Sequence, residues 1–186
     1  MSIMRSASTV GRYTSVSARE AFGVEYWPLE LYKLSLAPPE AELAREVGLI
    51  TGAAGGIGRA IAERLVARGA SVVVTDLDRR AVEALAESLN RRAGRRRALG
   101  VAMDVTSEQS ITRAFDALLR VFGGLDFLVS NAGTATVAAI DRLSRLDWDR
   151  SLSVNATGHF LVSQAVIRWL RAQGLGGSLV FIASKK

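Results

Sequence analysis

The stretch VGLITGAAGGIGRA, Val47 to Ala60, decides how the chain folds. Its short apolar run, Val47 to Thr51, has the length and composition of a buried strand. From Gly56 to Arg68 the apolar residues Ile57, Ile61, Leu65 and Val66 fall at helical spacing, so the stretch predicts a strand, a glycine turn and a helix. The glycines have separate physical tasks in such a turn. Gly52 permits the tight corner, Gly56 lets a pyrophosphate approach the backbone, and Gly58 allows close contact between helix and strand. The amides at a helix N-terminus act as about half a positive charge and suit a phosphate. A glycine turn alone would suit any sharp corner; the strand before it and the helix after it carry the nucleotide reading.

Working outward, the same alternation recurs. SVVVTD (Ser71 to Asp76) predicts a strand, Arg79 to Arg92 a helix, ALGVAMD a third strand and Ser107 to Phe122 a third helix. DFLVSNAG predicts a fourth strand with its exit loop, Leu146 to Gln173 a largely helical span, and SLVFIAS a fifth strand, in which Leu179 to Ile182 reads as buried. Strands alternating with helices of this length imply a parallel sheet covered on both faces. The expected fold is α/β, a Rossmann-type doubly wound parallel sheet of about five strands, incomplete at its C-terminus. The last strand is then an uncovered edge and the helix around Leu161, Val166 and Trp169 lacks packing partners, so the chain is expected to associate.

Composition bounds the rest. The 186 residues suffice for one domain with an extension. No segment approaches the ~20 apolar residues of a membrane span, the N-terminus lacks the apolar run of a secretory signal, and cysteine is absent, so a cytoplasmic protein is expected. The net charge of +6 is carried mostly by arginine and raises the possibility of nucleic-acid binding. The densest cluster, RRAGRRR (Arg91 to Arg97), has no interleaved aromatics and falls where a helix should end, a place that favours cations; a solvated helix terminus is the expected reading, with no nucleic acid or membrane as partner. His159 is the one histidine, so a histidine-rich metal site cannot be built, and no metal is expected.

Asp76 ends the second strand about 20 residues after the glycine turn, where a carboxylate would accept hydrogen bonds from an adenosine ribose. An acid there favours NAD over NADP, because a 2′-phosphate would meet a like charge; Arg79 and Arg80 soften that exclusion. Asp76 is equally suited to cap the following helix. Asp104 suits an adenine contact or a cap for the helix beginning near Ser107, and Asn131 suits either a tie between strands or a part in catalysis.

From Gly48 to its end the chain resembles a short-chain dehydrogenase/reductase. The family's TGxxxGxG pattern stands here as Thr51, Gly52, Gly56 and Gly58, with Ile57 between the last two; its adenine-contacting acid matches Asp104 in MDVT, and its NAG motif matches Asn131, Ala132 and Gly133. The asparagine of the family's catalytic tetrad matches Asn155 in SVNATGHF, and its catalytic serine matches Ser184. The resemblance implies that Thr51, Gly52, Gly56, Ile57, Gly58, Asp76, Asp104, Asn131, Ala132 and Gly133 bind the cofactor, NAD, and that Ser184 polarises the carbonyl of a small carbonyl or alcohol substrate. It also implies a tyrosine further on and a lysine one helical turn beyond it. Both are expected past the end of this chain, since Tyr13, Tyr26 and Tyr32 all precede the nucleotide fold and Lys185 and Lys186 sit beside the serine.

All three prolines lie before Ala41, and the texture changes near Arg45 and Glu46. Residues 1–46 are therefore expected to be a connector or packing arm, extended at Pro38-Pro39, and 47–186 the NAD-binding domain. The arm, AFGVEYWPLELYKLSLAPPEAELA, resembles the segment joining the two domains of bifunctional rhamnulose-1-phosphate aldolase/short-chain dehydrogenase proteins. That resemblance implies a truncated slice of a longer, homo-oligomeric protein, with lactaldehyde as the substrate and the slice itself inactive or a mere nucleotide-holding remnant.

Overall fold

The computed structural model describes Ser17, Arg19, residues 26–36 and residues 41–184. The chain divides into two compact units, Met1–Glu40 and Ala41–Lys186. In the first, α1 (Trp27–Leu36) is a helix where a connector is expected. Pro28 stands in its first turn, where the missing N–H removes no helical bond, and Lys33 Nζ donates to Glu30 Oε1 at 2.7 Å. Pro38-Pro39, expected to be extended, lies outside the described residues.

The second unit alternates as the sequence predicts: β1 (Val47–Thr51), α2 (Gly56–Ala67), β2 (Ser71–Asp76), α3 (Arg79–Ala93), β3 (Ala98–Ala102), α4 (Glu108–Phe122), β4 (Phe127–Ser130), α5 (Arg145–Leu152), a π-helical turn (Ser153–Gly158), α6 (His159–Gln173) and β5 (Ser178–Phe181). The strands form one parallel sheet in the order β3-β2-β1-β4-β5. Alternate residues feed opposite faces. Leu49, Val73 and Leu128 pack with Ile111, Phe115 and Leu118 of α4 and Val162, Val166 and Leu170 of α6. Ile50, Val72, Val74 and Val129 pack instead with Ala62 and Val66 of α2 and Val82, Leu85 and Leu89 of α3. Burial on both faces explains the unbroken apolar runs of β1 and β2.

Residues just before β1 are sewn into this unit. Leu43 N–H donates to the Arg68 carbonyl at 2.9 Å, Ser71 N–H to the Glu46 carbonyl at 2.8 Å, and Val47 N–H to Asp126 Oδ2 at 2.8 Å. The helix ends follow the local chemistry. Asp78, Ser107 and Ser144 cap α3, α4 and α5 through side-chain oxygens, and left-handed Gly94, Gly123 and Gly174 close α3, α4 and α6. Arg91 and Arg92 do fall in the last turn of α3.

Two expectations need correction. Leu179 to Ile182 is not a buried run: Val180 and Phe181 are 48% and 52% exposed, because β5 pairs with β4 alone at the edge of the sheet. The helix around Leu161, Val166 and Trp169 does not lack partners. Val162 and Val166 are fully buried, and Leu161 and Trp169 pack on the same cluster, because α6 lies over β4 beside α4.

Candidate active site

The carboxyl ends of β1, β2, β4 and β5 bring most of the sequence-predicted residues to one edge. With β2 on one side of β1 and β4 on the other, the chain reverses its winding direction at the carboxyl end of β1, where open α/β sheets leave a crevice.

The glycine turn fills one side of that crevice. Gly52 has φ +64, and a Cβ there would lie 2.8 Å from Ala132 Cα, so turn and β4 exit loop are in direct contact. Ala53 N–H donates to the Thr75 carbonyl at 2.9 Å, and Ala54 N–H donates to Asp76 Oδ2 at 3.1 Å. A Cβ on Gly58 would meet the Gly52 carbonyl oxygen at 2.5 Å, Ala53 Cα at 2.8 Å and Asn131 Nδ2 at 2.8 Å, whereas one on Gly56 would meet nothing within 4 Å. Gly58 is thus a packing glycine and Gly56 faces open space. Unlike α3, α4 and α5, α2 has no side-chain cap: its N-cap is Gly55. An uncapped helix end beside an open glycine is what a phosphate group requires.

Asp76 does not cap the helix after it. That task falls to Asp78, whose Oδ1 accepts from Ala81 N–H at 3.1 Å. The Asp76 carboxylate, accepting from Ala54 and, at 3.4 Å, from Asp78 N–H, ties the glycine turn to β2 and keeps further acceptor capacity. Asp104 is no helix cap either, since Ser107 takes that place. Its Oδ1 accepts from Thr106 N–H at 2.8 Å and Thr106 Oγ1 at 2.7 Å, and its N–H donates to Ser110 Oγ at 3.0 Å.

Asn131 ties two strands. Its Nδ2 donates to the Thr51 and Gly52 carbonyls at 3.0 and 3.1 Å, while its N–H and that of Ala132 both donate to the buried Thr51 Oγ1 at 2.9 Å. Gly133 follows, and a Cβ on it would lie 3.2 Å from Asn155 Oδ1. Asn155, in the π-helical turn, accepts from Thr134 N–H at 2.9 Å and donates to the Thr134 carbonyl at 2.7 Å, so the loop after β4 and the long helix are clamped together. Thr51, Gly52, Asn131, Ala132, Gly133 and Asn155 therefore form one connected chain. Ile57 is exposed on the first turn of α2, and Ser184 is exposed beyond β5, two residues past Ile182, whose N–H still bonds the Ser130 carbonyl at 3.0 Å. Asp104 is bonded to Thr106 and to Ser110 of α4, and no hydrogen bond among the described residues joins it to that chain.

Sequence reasoning missed Thr134, which nothing but its position directly after the asparagine-alanine-glycine run could have flagged. It also missed the pair Ser130 and His159, whose Oγ and Nδ1 lie 2.6 Å apart, with the Phe181 ring tilted against the imidazole at 5.9 Å. Burial holds the His159 imidazole below its ordinary value, so the native state favours the neutral ring. The unfolded chain takes up that proton below about pH 6.5 while the native chain does so only at lower pH, so the contribution is complete above about 6.5 and is lost as pH falls. Urea midpoints measured from pH 7.5 to 5.5 (a range chosen for the test) should decline less steeply in His159→Gln than in the unmodified chain; equal slopes would contradict this assignment.

No group of three or more histidine, cysteine, aspartate or glutamate side chains that could hold a metal occurs among the described residues, and no described helix is long and apolar enough to cross a membrane.

Such a sheet order, with an uncapped glycine turn at the reversal, defines a Rossmann-type α/β domain. A family model described as short chain dehydrogenase matches residues 46–186, and the chain belongs to that family. The protein named uncharacterized oxidoreductase YuxG of Bacillus subtilis (strain 168) is 44% identical over 185 residues, covering 100% of this chain and 27% of its own length. D-threitol dehydrogenase of Mycolicibacterium smegmatis is 42% identical over 140 residues, 75% of this chain and 53% of that protein. Among solved structures, an NAD+-bound xylitol dehydrogenase superposes with a TM-score of 0.72 at 36% identity over 77% of this chain and 54% of that one. The chain thus spans about half the length of the latter two proteins and about a quarter of the Bacillus protein. Residues 1–34 match the model for the second domain of class II aldolases.

Proposed function

We infer that the chain is the NAD-binding portion of a dehydrogenase that interconverts a small polyol or hydroxy-aldehyde and its carbonyl partner, with lactaldehyde as the leading substrate. The observation that carries this reading is the Asp76 carboxylate at the end of β2, bonded to Ala54 of an uncapped glycine turn. It gives one acceptor group to both the turn and an adenosine ribose, and it repels a 2′-phosphate. Gly52, Gly56, Ile57 and Gly58 would line the pyrophosphate and Ala132 and Gly133 the nicotinamide side, while Asn131 and Thr51 hold the two loops together. When bound, the nicotinamide accepts hydride from the alcohol carbon. Ser184 would orient the alcohol oxygen, and Asn155 would brace the loop that carries Gly133. The dehydrogenase relatives acting on D-threitol and xylitol support a small polyhydroxylated substrate.

The match of residues 1–34 to the aldolase second domain supports membership of a longer aldolase/dehydrogenase protein, for which we propose a cytoplasmic homo-oligomer. A second reading, a fragment that holds nucleotide without turnover, rests on the position of every tyrosine before β1.

Fluorescence titration tests the cofactor assignment. Asp76→Ala should weaken NADH binding by about 1–3 kcal/mol, the loss expected for hydrogen bonds to a charged acceptor. Equal affinity of the unmodified chain for NADH and NADPH would overturn it.

A further inference from the structure

A cavity of about 360 Å³ opens at the amino-terminal end of the strands, away from the glycine turn. Val66 and Leu89 contribute apolar lining, and Glu63, Arg92, Arg95 and Arg97 supply its charges. Ser71 and Asp76 stand at opposite ends of β2, so the two sites are roughly 17–20 Å apart at about 3.3 Å per strand residue.

The charges do not balance. Arg92 Nη1 lies 3.5 Å from Glu63 Oε1, which accounts for one guanidinium. Among the described residues, Arg97 Nη1 donates to Ser71 Oγ alone, a neutral partner, at 3.4 Å. Burial first, and then the neighbouring Arg95 charge, hold the Arg97 guanidinium below its ordinary value. Among the described residues that line it, three guanidiniums against one carboxylate leave two positive charges in excess. The ends of α2 and α3 nearby, at about half a negative charge each, reduce that to about one and do not cancel it.

Arg97 stands on braced backbone. Asn90 Oδ1 accepts from both Arg97 N–H and Ala98 N–H at 2.7 Å, Asn90 Nδ2 donates to the Ala98 carbonyl at 2.9 Å, and Val72 N–H donates to the Arg97 carbonyl at 2.7 Å. Gly94, left-handed at φ 64, turns the chain from α3 into this bracket.

We propose that this cavity is a second ligand site, for a phosphorylated small molecule of sugar-phosphate size, gripped by Arg92, Arg95 and Arg97. Guanidinium forks match phosphate oxygens in pairs, and the volume lies near the lower end of small-molecule sites, too small for a dinucleotide. No aromatic ring is among the described residues that line the cavity, and such rings are the platforms on which nucleic-acid bases stack.

The test is calorimetric titration of the whole chain with ribose 5-phosphate, with ribose as the unphosphorylated control. Saturable binding of ribose 5-phosphate, none of ribose, and affinity lowered about tenfold or more in both Arg95→Gln and Arg97→Gln is the expected result, being the loss of a charged hydrogen bond. Arg95→Gln keeps the test meaningful if Arg97→Gln, which also loses the Ser71 bond, melts early. Full-strength binding in both variants, as if the glycine turn held the phosphate, would overturn the proposal. So would a response that never saturates, or duplex DNA binding with Arg95-dependence while ribose 5-phosphate does not bind.

Discussion

Gly58→Ala is expected to lower stability by about 1–3 kcal/mol and to weaken NADH binding at least tenfold, the cost of forcing an extra methyl into a closely packed corner. The methyl would meet the Gly52 carbonyl at 2.5 Å and Ala53 Cα at 2.8 Å, both backbone, so no side-chain rotation can relieve it. Either α2 moves away from β1 or the Asn131 amide, 2.8 Å from the same point, leaves the carbonyls it bridges. Both responses spread the glycine turn. Gly56→Ala supplies the contrast, because its methyl meets nothing and replaces a flexible residue at a helix start. There the fold should be unchanged or firmer by up to about 1 kcal/mol, while NADH binding falls if the pyrophosphate comes close to that backbone. Chemical denaturation and NADH titration of both variants separate the two roles. If Gly58→Ala melts and binds like the unmodified chain, the packing account of the turn is wrong.

The second large effect concerns turnover. The 186-residue chain alone should form no NADH from lactaldehyde or small diols above background, whether or not it binds NAD. Oxidation of an alcohol releases hydride from carbon and a proton from oxygen, and a positioned base for that proton is worth about 10²- to 10⁴-fold. Ser184, even in the orienting role proposed for it, is too weak a base to take the proton. His159 is committed to Ser130, and Asn155 is committed to Thr134. An extended chain in which a tyrosine, with a lysine one helical turn later, follows Ser184 should form NADH from the same substrates. Turnover by the unextended chain that Ser184→Ala abolishes would show that a base is already present.

Legibility followed what each feature depends on. The strands and helices of the nucleotide unit could be read because burial on both faces leaves continuous apolar runs such as Val72 to Val74, and the glycine turn because only glycine fits between Gly52 and Asn131. The role of Asp76 as a tie and not a cap could not be read. In TDLD two aspartates stand two apart, and only the end point of the strand decides which one meets the helix. The exposure of β5 depends on which strand lies beside it, a fact about topology and not about the letters SLVF. Helix α1 was hidden by Pro28, which reads as a breaker until its place in the first turn is known. The Asn90 bracket, joining a helix to the next strand's first residue, has no periodic signature at all.

The π-helical turn at Ser153–Gly158 has one more consequence. A bond reaching five residues back instead of four accommodates one residue more than a regular helix would need, so α5 and α6 are out of phase by about one residue, some 100° of rotation. The stripe Val162, Val166, Leu170 that locks α6 to the sheet therefore does not extend into α5, which has no buried residue. The extra residue also sets Asn155 against Thr134 while Gly158 lies flat on Val105. In reading-frame terms the segment behaves like a single-codon insertion. Removing one codon between 153 and 158 would leave a better helix, yet α5 would swing round the axis and the asparagine would lose its partner.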